Sequence, residues 1–392
     1  MKPKLHIHSD NARWAGSENM PGVFLQSKEI NDAFDVSFSY RYTPEYEEGM
    51  GRWAPNARDL TYDLENPIYP LRFPVTHCYK IRPYFKPIMA LGYSTVIVEI
   101  VKMFSLLKRI KPDVLHVNNG GYPGAFSCNS AAVAGKLAGV PKITYMVNNV
   151  PRNPWWFSPV TWAAKRSVSQ FISGTEYNKS KGRFLQRNNN WVVISNTILP
   201  LSIQPRNQVR EMFGIPEDEV VFLCIGELRE HKGFYRVIDA LTTMKKIGIP
   251  RSLLLAGRGP EEDFLKNRMK SKKRGVYRYY GDDDIHPYAL INACDALVVP
   301  SIANEDLPNV VLIAQMYGKP CIVSDLMGLP EICQAPDHGL VFNTDEKLSD
   351  AMDKMLDRNT RGIMGQKAKA NFERKCRPEK IVNRYIELWK GE

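Results

Sequence analysis

Twelve short apolar runs, separated by helix-length segments, constrain this chain more than any other feature. Six lie in the first half: LHIHS (Leu5 to Ser9), DVSFSY (Asp35 to Tyr40), DVLHVNN (Asp113 to Asn119), KITYMV (Lys142 to Val147), QFISGT (Gln170 to Thr175) and WVVIS (Trp191 to Ser195). Six follow in the second: VVFLCIG (Val220 to Gly226), SLLLAG (Ser252 to Gly257), VYRYYG (Val276 to Gly281), ALVVPS (Ala296 to Ser301), PCIVSD (Pro320 to Asp325) and LVF (Leu340 to Phe342). Near-continuous apolar strands between helices indicate parallel sheets covered on both faces. The polar, proline-containing passage LPLSIQPRN (Leu199 to Asn207) separates the two sets. Two doubly wound α/β domains are therefore expected, at 1–200 and 201–375, with the amphipathic end of the chain, 376–392, packing back toward the first. A length of 392 residues is ample for two cores. Between Tyr40 and Tyr84 the pattern breaks into a Pro-, Tyr- and Trp-rich stretch that reads as loops.

Composition narrows the class further. The seven cysteines are odd in number, scattered, and form no CxxC pair or zinc-ligand spacing, which suits a reducing compartment. The N-terminus has no apolar core of signal-peptide length, and the longest apolar run, Ile88 to Val98, is too short to span a bilayer. A cytoplasmic protein is expected. The net charge of +11 points to nucleic acid, an anionic membrane face or phosphate-bearing substrates. No dense basic tract with interleaved aromatics and no recognition-helix pattern accompanies it, so a nucleic-acid partner is not expected.

Ligands of open α/β sheets bind at the carboxyl ends of strands, so the loops after these runs matter most. In IGELREHKGF (Ile225 to Phe234), Lys232 and Gly233 at a helix start can present an ammonium and backbone N–H groups to phosphate oxygens, with Arg229 a second cation; a solvated charged turn is the plainer alternative. AGRGPEEDF has Gly257 and Gly259 but Glu262 where a dinucleotide fingerprint wants its third glycine, and no GK[ST] occurs, so neither a dinucleotide site nor a P-loop is supported. Arg258 remains a phosphate or base-side contact. Asp282 to Asp284 read as an N-cap for the helix beginning near Ile285 to Pro287 rather than as a metal site. Glu305 sits between a strand end and the turn Leu307, Pro308, Asn309, which would start a helix. A carboxylate there can accept hydrogen bonds from sugar hydroxyls while the helix start binds phosphate, although a capping Glu would look similar.

Taken together, IGELREHKG, AGRGPE and DALVVPSIANEDLPNVVLIAQMYGKPCIVSDLMGLPEI resemble the retaining GT-B glycosyltransferases of the large group 1 family, which includes many bacterial lipopolysaccharide, capsule and mannosyl transferases. The resemblance runs from about Glu211 to His338. It extends more faintly into AGSEN, KPDVLHVNNGG, LAGVP, FISGTEYNKSK and VISNTI. It implies two Rossmann-like domains facing a cleft, a nucleotide-sugar donor held mainly by the second, a saccharide or lipid-linked acceptor held mainly by the first, and no cofactor or obligatory metal. Lys232 would neutralise the leaving diphosphate, and Glu305 would bind the sugar hydroxyls. The Pro308 to Val310 backbone, with Leu307 and Asn309, would meet donor phosphate and sugar beside Gly226, Gly257 and Arg258. Gly16 and Ser17 would form a glycine loop facing the donor from the first domain. Three positions depart from the family pattern: Glu227 stands where an Arg is common, with Arg229 nearby to compensate. Ile313 replaces the second glutamate of E-x7-E, which generally binds ribose. Asn148 occupies the place of a catalytic-domain His.

PRNPWWFSPVTWAAKR (Pro151 to Arg166) combines Trp155, Trp156 and Trp162 with Arg152, Lys165 and Arg166. Aromatic rings flanked by cations suit a lipid-linked acceptor or peripheral contact with an anionic inner membrane face; rings filling the surface or core of the first domain are the equal alternative. The expectation is a retaining, metal-independent transferase in lipopolysaccharide or capsule synthesis. The alternative is a catalytically silent relative that binds carbohydrate or acts as a scaffold.

Overall fold

The computed structural model describes residues 1–11, 13–14, 16–41, 43–54, 86–152, 159–185, 190–246, 248–282, 284–305 and 307–392. They divide into two units, Met1–Ser195 with Pro378–Glu392, and Asn196–Arg377.

The first unit runs β1 (Lys4–Ser9), α1 (Asn19–Gln26), α2 (Lys28–Ala33), β2 (Asp35–Tyr40), α3 (Pro44–Trp53), α4 (Lys86–Ile110), β3 (Val114–Asn119), α5 (Phe126–Ala138), β4 (Lys142–Val147), α6 (Pro159–Ser167), β5 (Gln170–Ser173), α7 (Glu176–Lys181) and β6 (Trp191–Val193). Its six parallel strands lie in the order β2-β1-β3-β4-β5-β6. The order reverses at β1, because the chain leaves β1 toward β2 and then crosses back to β3. The loops after β1 and β3 therefore diverge, and the crevice between them is where an open α/β sheet holds its ligand.

The second unit runs α8 (Arg206–Met212), β7 (Val220–Ile225), α9 (Phe234–Thr243), β8 (Arg251–Ala256), α10 (Glu262–Lys270), β9 (Val276–Tyr280), α11 (Pro287–Ala293), β10 (Ala296–Val299), α12 (Asn309–Met316), β11 (Cys321–Ser324), α13 (Leu329–Cys333), β12 (Gly339–Phe342), α14 (Asp345–Lys354) and α15 (Arg358–Lys375). Its sheet is also parallel, in the order β12-β11-β10-β7-β8-β9. Here the reversal falls between β7 and β10. All twelve apolar runs are strands, and in the second unit residues that make them apolar, such as Phe222, Leu253, Val298 and Ile322, are buried in one core. The last helix, α16 (Pro378–Lys390), belongs to the first unit, where Tyr385 and Trp389 meet the Phe24 ring edge-on at 4.6 and 5.1 Å.

Two expectations change. Residues 44–53 form a helix, not a loop: the Thr43 hydroxyl accepts from the Tyr46 N–H at 3.0 Å, Pro44 fills the first turn where its missing N–H costs nothing, and Tyr46 and Met50 bury one face. Aromatic and proline content concealed that start. The cap of α11 is His286, whose ring accepts from Tyr288, so Asp282 and Asp284 do not cap it; Asp283 lies outside the described residues.

Candidate functional site

In the second unit the loops after β7 and β10, those flanking the order reversal, are built onto each other. Ile302 donates its N–H to the His231 carbonyl at 2.8 Å. Gly233 adopts φ +65° directly above Pro300, so close that a Cβ there would lie 2.4 Å from the Pro300 carbonyl oxygen. Only glycine satisfies both the left-handed backbone and that approach. This seating brings Lys232 to Glu305: the ammonium donates directly to Oε2. The same oxygen accepts from the Ser301 hydroxyl at 2.9 Å, while Ser324 braces the Ser301 carbonyl at 2.7 Å. Glu305 is 8% exposed, so its charge is held by these partners rather than by water. It does not cap the following helix, since α12 begins at Asn309 with Pro308 at the cap position and no side-chain cap. Burial and the adjacent Lys232 ammonium lower the His231 pKa below its ordinary value, which keeps the ring neutral at neutral pH.

Leu307, Pro308, Asn309 and Val310 lie at the start of α12, the positive end of the helix dipole. Asn309 accepts from Asn196 at 3.2 Å. Gly226 and Gly257 end adjacent strands. A Cβ on Gly257, at φ +134°, would lie 1.9 Å from the Gly226 carbonyl, so these glycines let two strand ends touch. Arg229 pairs with Glu227 at 2.9 Å, which neutralises the carboxylate standing in place of the family's Arg. Arg258 donates to the Gly281 carbonyl and meets Asp282 at 3.3 Å. Asp284 accepts from Tyr280 at 2.5 Å. Among the described residues no group of three or more His, Cys, Asp or Glu is placed to hold a metal. Ile313 is 5% exposed on α12.

The first unit has its own constellation at the reversal between β1 and β3. Gly16 and Ser17 open a 3-10 turn, Gly16–Glu18. Asn118, at the end of β3, donates to the Ser17 carbonyl at 3.1 Å and to the Ser9 hydroxyl at 2.8 Å. Asn148, just after β4, donates to Asn118 Oδ1 and to the Asn119 carbonyl, each at 2.9 Å. Asn118 thus joins two residues singled out separately from the sequence. Behind the turn, Glu18 is buried and accepts from Tyr46 at 2.7 Å and Ser9 at 2.8 Å. Desolvation raises its pKa to about 7 despite those bonds, and Asp10 nearby pushes the same way. Neither Asn118 nor Glu18 was expected; the available signals were a polar residue ending an apolar run for Asn118 and a polar residue after a glycine for Glu18. Trp162 is exposed on α6 with the Arg166 guanidinium 3.5 Å from its ring centroid. Trp155 and Trp156 lie outside the described residues.

The family model for glycosyl transferases, group 1, matches residues 205–371, nearly the whole second unit, Lys232 and Glu305 included. That unit is similar to the group 1 glycosyl transferases. Over 188 residues, 46% of this chain, it is 29% identical to the N-acetyl-alpha-D-glucosaminyl L-malate synthase of Bacillus anthracis, and it covers 48% of that relative's length. Two solved structures share the GT-B fold over 99% of this chain and 100% of theirs: Anabaena Alr3699/HepE in complex with UDP, at TM-score 0.73 and 16% identity, and the lipopolysaccharide outer core galactosyltransferase WaaB, at 0.69 and 13%. At those identities the likeness describes the fold. The group 1 match falls on the unit that carries the Lys232–Glu305 pair.

Proposed function

We propose that this protein is a retaining, metal-independent glycosyltransferase. It moves a sugar from a nucleotide-sugar, with UDP-sugars the first donors to try, onto a saccharide or lipid-linked saccharide in lipopolysaccharide or capsule synthesis. Its place is the cytoplasm, peripheral to the inner membrane face. The observation that carries this reading is the Lys232–Glu305 pair, seated at the strand-order reversal of the unit that matches the group 1 family. The UDP bound in the Anabaena structure and the galactosyl transfer named for WaaB support the donor class.

Breaking the bond between the sugar's anomeric carbon and the donor phosphate leaves growing negative charge on the diphosphate. An ammonium held beside that phosphate stabilises the charge, an effect on the order of 3–4 kcal/mol for one such donor. In this chain the ammonium is held by Glu305. A bound donor would turn Lys232 toward phosphate and free one Glu305 lone pair for sugar hydroxyls, with Ser301 still donating to the carboxylate. The start of α12 offers its dipole to the same anion. Two carboxylates of the acidic run are engaged by Arg258 and Tyr280, which is consistent with chemistry that needs no metal.

A second reading, a silent relative that binds carbohydrate, is favoured by two residues: Ile313 cannot accept from a ribose hydroxyl, and Asn148 cannot carry a proton. One experiment separates them. Purified protein is incubated with UDP-, GDP-, ADP- and CMP-sugars in the presence of a chelator, nucleotide release is measured, and the anomeric configuration of the product is read by NMR. The proposal expects turnover with one donor and retention at the anomeric carbon. Donor binding without turnover across the panel would establish the silent reading.

A further inference from the structure

The net charge is not shared between the units. The first carries 27 Lys and Arg against 17 Asp and Glu, the second 26 against 25. Within the first, residues 86–195 hold 14 basic and 3 acidic side chains. This basic half begins with α4, which packs on α5 through Met103, Leu106, Leu107 and Ile110 in one core. Its opposite face is unusual. Ile97, Val98 and Val101 are 61%, 45% and 57% exposed, three branched apolar residues on one stripe. Single exposed apolar residues need no explanation, but a contiguous group on one helix face does. Lys102, Lys108 and Arg109 continue the same face toward the C-terminus of the helix.

The position of the stripe follows from helix geometry. At 25 residues α4 is about 37 Å long, whereas the six-residue strands it crosses are about 20 Å. A crossover helix runs antiparallel to the strands of its sheet, and α4 ends three residues before β3 begins. Its excess length therefore projects past the carboxyl ends of the strands, the edge that carries Ser17, Asn118 and Asn148. Ile97 lies 13 residues before the end of the helix, about 20 Å, at the level of that edge.

We propose that the α4 face of Ile97, Val98 and Val101, with Lys102, Lys108 and Arg109, docks the first unit onto an anionic membrane surface. The apolar side chains enter the headgroup boundary and the cations meet lipid phosphates, as in an interfacial amphipathic helix. Docked so, the edge holding Ser17 and Asn148 lies beside the bilayer, within reach of a lipid-borne acceptor. The charge selects the occupant: a second copy of a segment this basic is repelled, and a neutral surface leaves the cations unused. The inference rests on the peripheral-membrane part of the proposed function and locates it on α4 rather than on the tryptophan segment.

The test is flotation of the full-length protein with vesicles of phosphatidylglycerol and phosphatidylcholine, and with phosphatidylcholine alone. Binding is expected only to the anionic vesicles and is expected to weaken steeply with salt. The double substitution Ile97→Glu/Val101→Glu, at exposed positions, is expected to weaken that binding about tenfold or more. Lys108→Glu/Arg109→Glu is expected to do the same and to flatten the salt dependence, and Trp162→Ala to change it about twofold at most. Transfer to a soluble acceptor analogue is expected to be unchanged in both α4 variants, which also reports that each of them folds. Wild-type vesicle binding by both α4 variants would move the docking site elsewhere while leaving the membrane reading intact. Failure of the unmodified protein to bind anionic vesicles would remove both. A dimer in solution that the α4 variants dissolve would show that a second copy, not a membrane, covers this face.

Discussion

The two units repeat one architecture and furnish the same position in opposite ways. Each has six parallel strands with one reversal of strand order, β1/β3 in the first and β7/β10 in the second. At the second reversal stands a charged pair, Lys232 and Glu305, set by a glycine contact and one backbone hydrogen bond. At the first stand neutral amides, Asn118 and Asn148, backed by a buried carboxyl whose proton is held to about pH 7. Net charge is distributed the other way, with the excess of basic residues in the first unit and near balance in the second. The lesson is that a fixed local charge and a diffuse one serve different ends. A paired ammonium at a strand end suits one developing anion, while a broad cationic surface suits a large polyanion such as a membrane.

The contrast breaks most sharply at Lys232. Lys232→Ala is expected to lower kcat/KM by about two to three orders of magnitude with the far-ultraviolet circular dichroism unchanged. Asn148→Ala, at the matching edge of the first unit, is expected to cost about tenfold, because an amide orients without neutralising. Steady-state kinetics on both variants decides whether the charged unit dominates. Gly233→Ala probes how the pair is seated. It strains a left-handed residue and drives a methyl into the Pro300 carbonyl, so a loss of about 1–3 kcal/mol in urea unfolding is expected, together with weaker donor binding.

Ile313→Glu restores the family's second glutamate at a buried site. If the position lies away from the donor, burying the carboxylate lowers stability by a few kcal/mol. Tighter UDP binding by this variant would instead show that Ile313 lines the donor site and that the chain holds ribose differently from its family.

The smallest expected effect concerns Glu18. Its pKa is raised from 4.5 to about 7 on folding, so the folded state holds a proton that the unfolded state releases near pH 4.5. Stability contributed by that proton is present below about pH 4.5 and is lost as pH rises to about 7, a change on the order of 1–3 kcal/mol. Glu18→Gln should remove this part of the slope. Urea melts at pH 5 and pH 8 are expected to show a larger fall for the unmodified protein than for the variant, and equal falls would refute the assignment.

What the sequence disclosed depended on pattern length. Strands such as Val220–Ile225 are apolar at every position, so one run identifies both the strand and its burial on two faces. Lys232 and Glu305 were legible because each follows such a run, although their pairing across 73 residues was not. Asn118 and Glu18 were missed because a single polar residue at a strand end or after a glycine has no period to mark it. The helix Pro44–Trp53 was missed because its start depends on one hydroxyl, Thr43, amid residues typical of loops. The acidic run misled for a related reason: three aspartates before a helix resemble a cap, yet the ring of His286, two residues nearer the helix, performs that task.

The central claim, that the charged pair of the second unit receives the donor diphosphate, is tested most directly by the melting temperature with and without UDP. A ligand that binds only the folded state raises it by mass action. The account predicts that millimolar UDP stabilises the unmodified protein and Asn148→Ala alike and leaves Lys232→Ala nearly unmoved. Equal stabilisation of Lys232→Ala by UDP would contradict it.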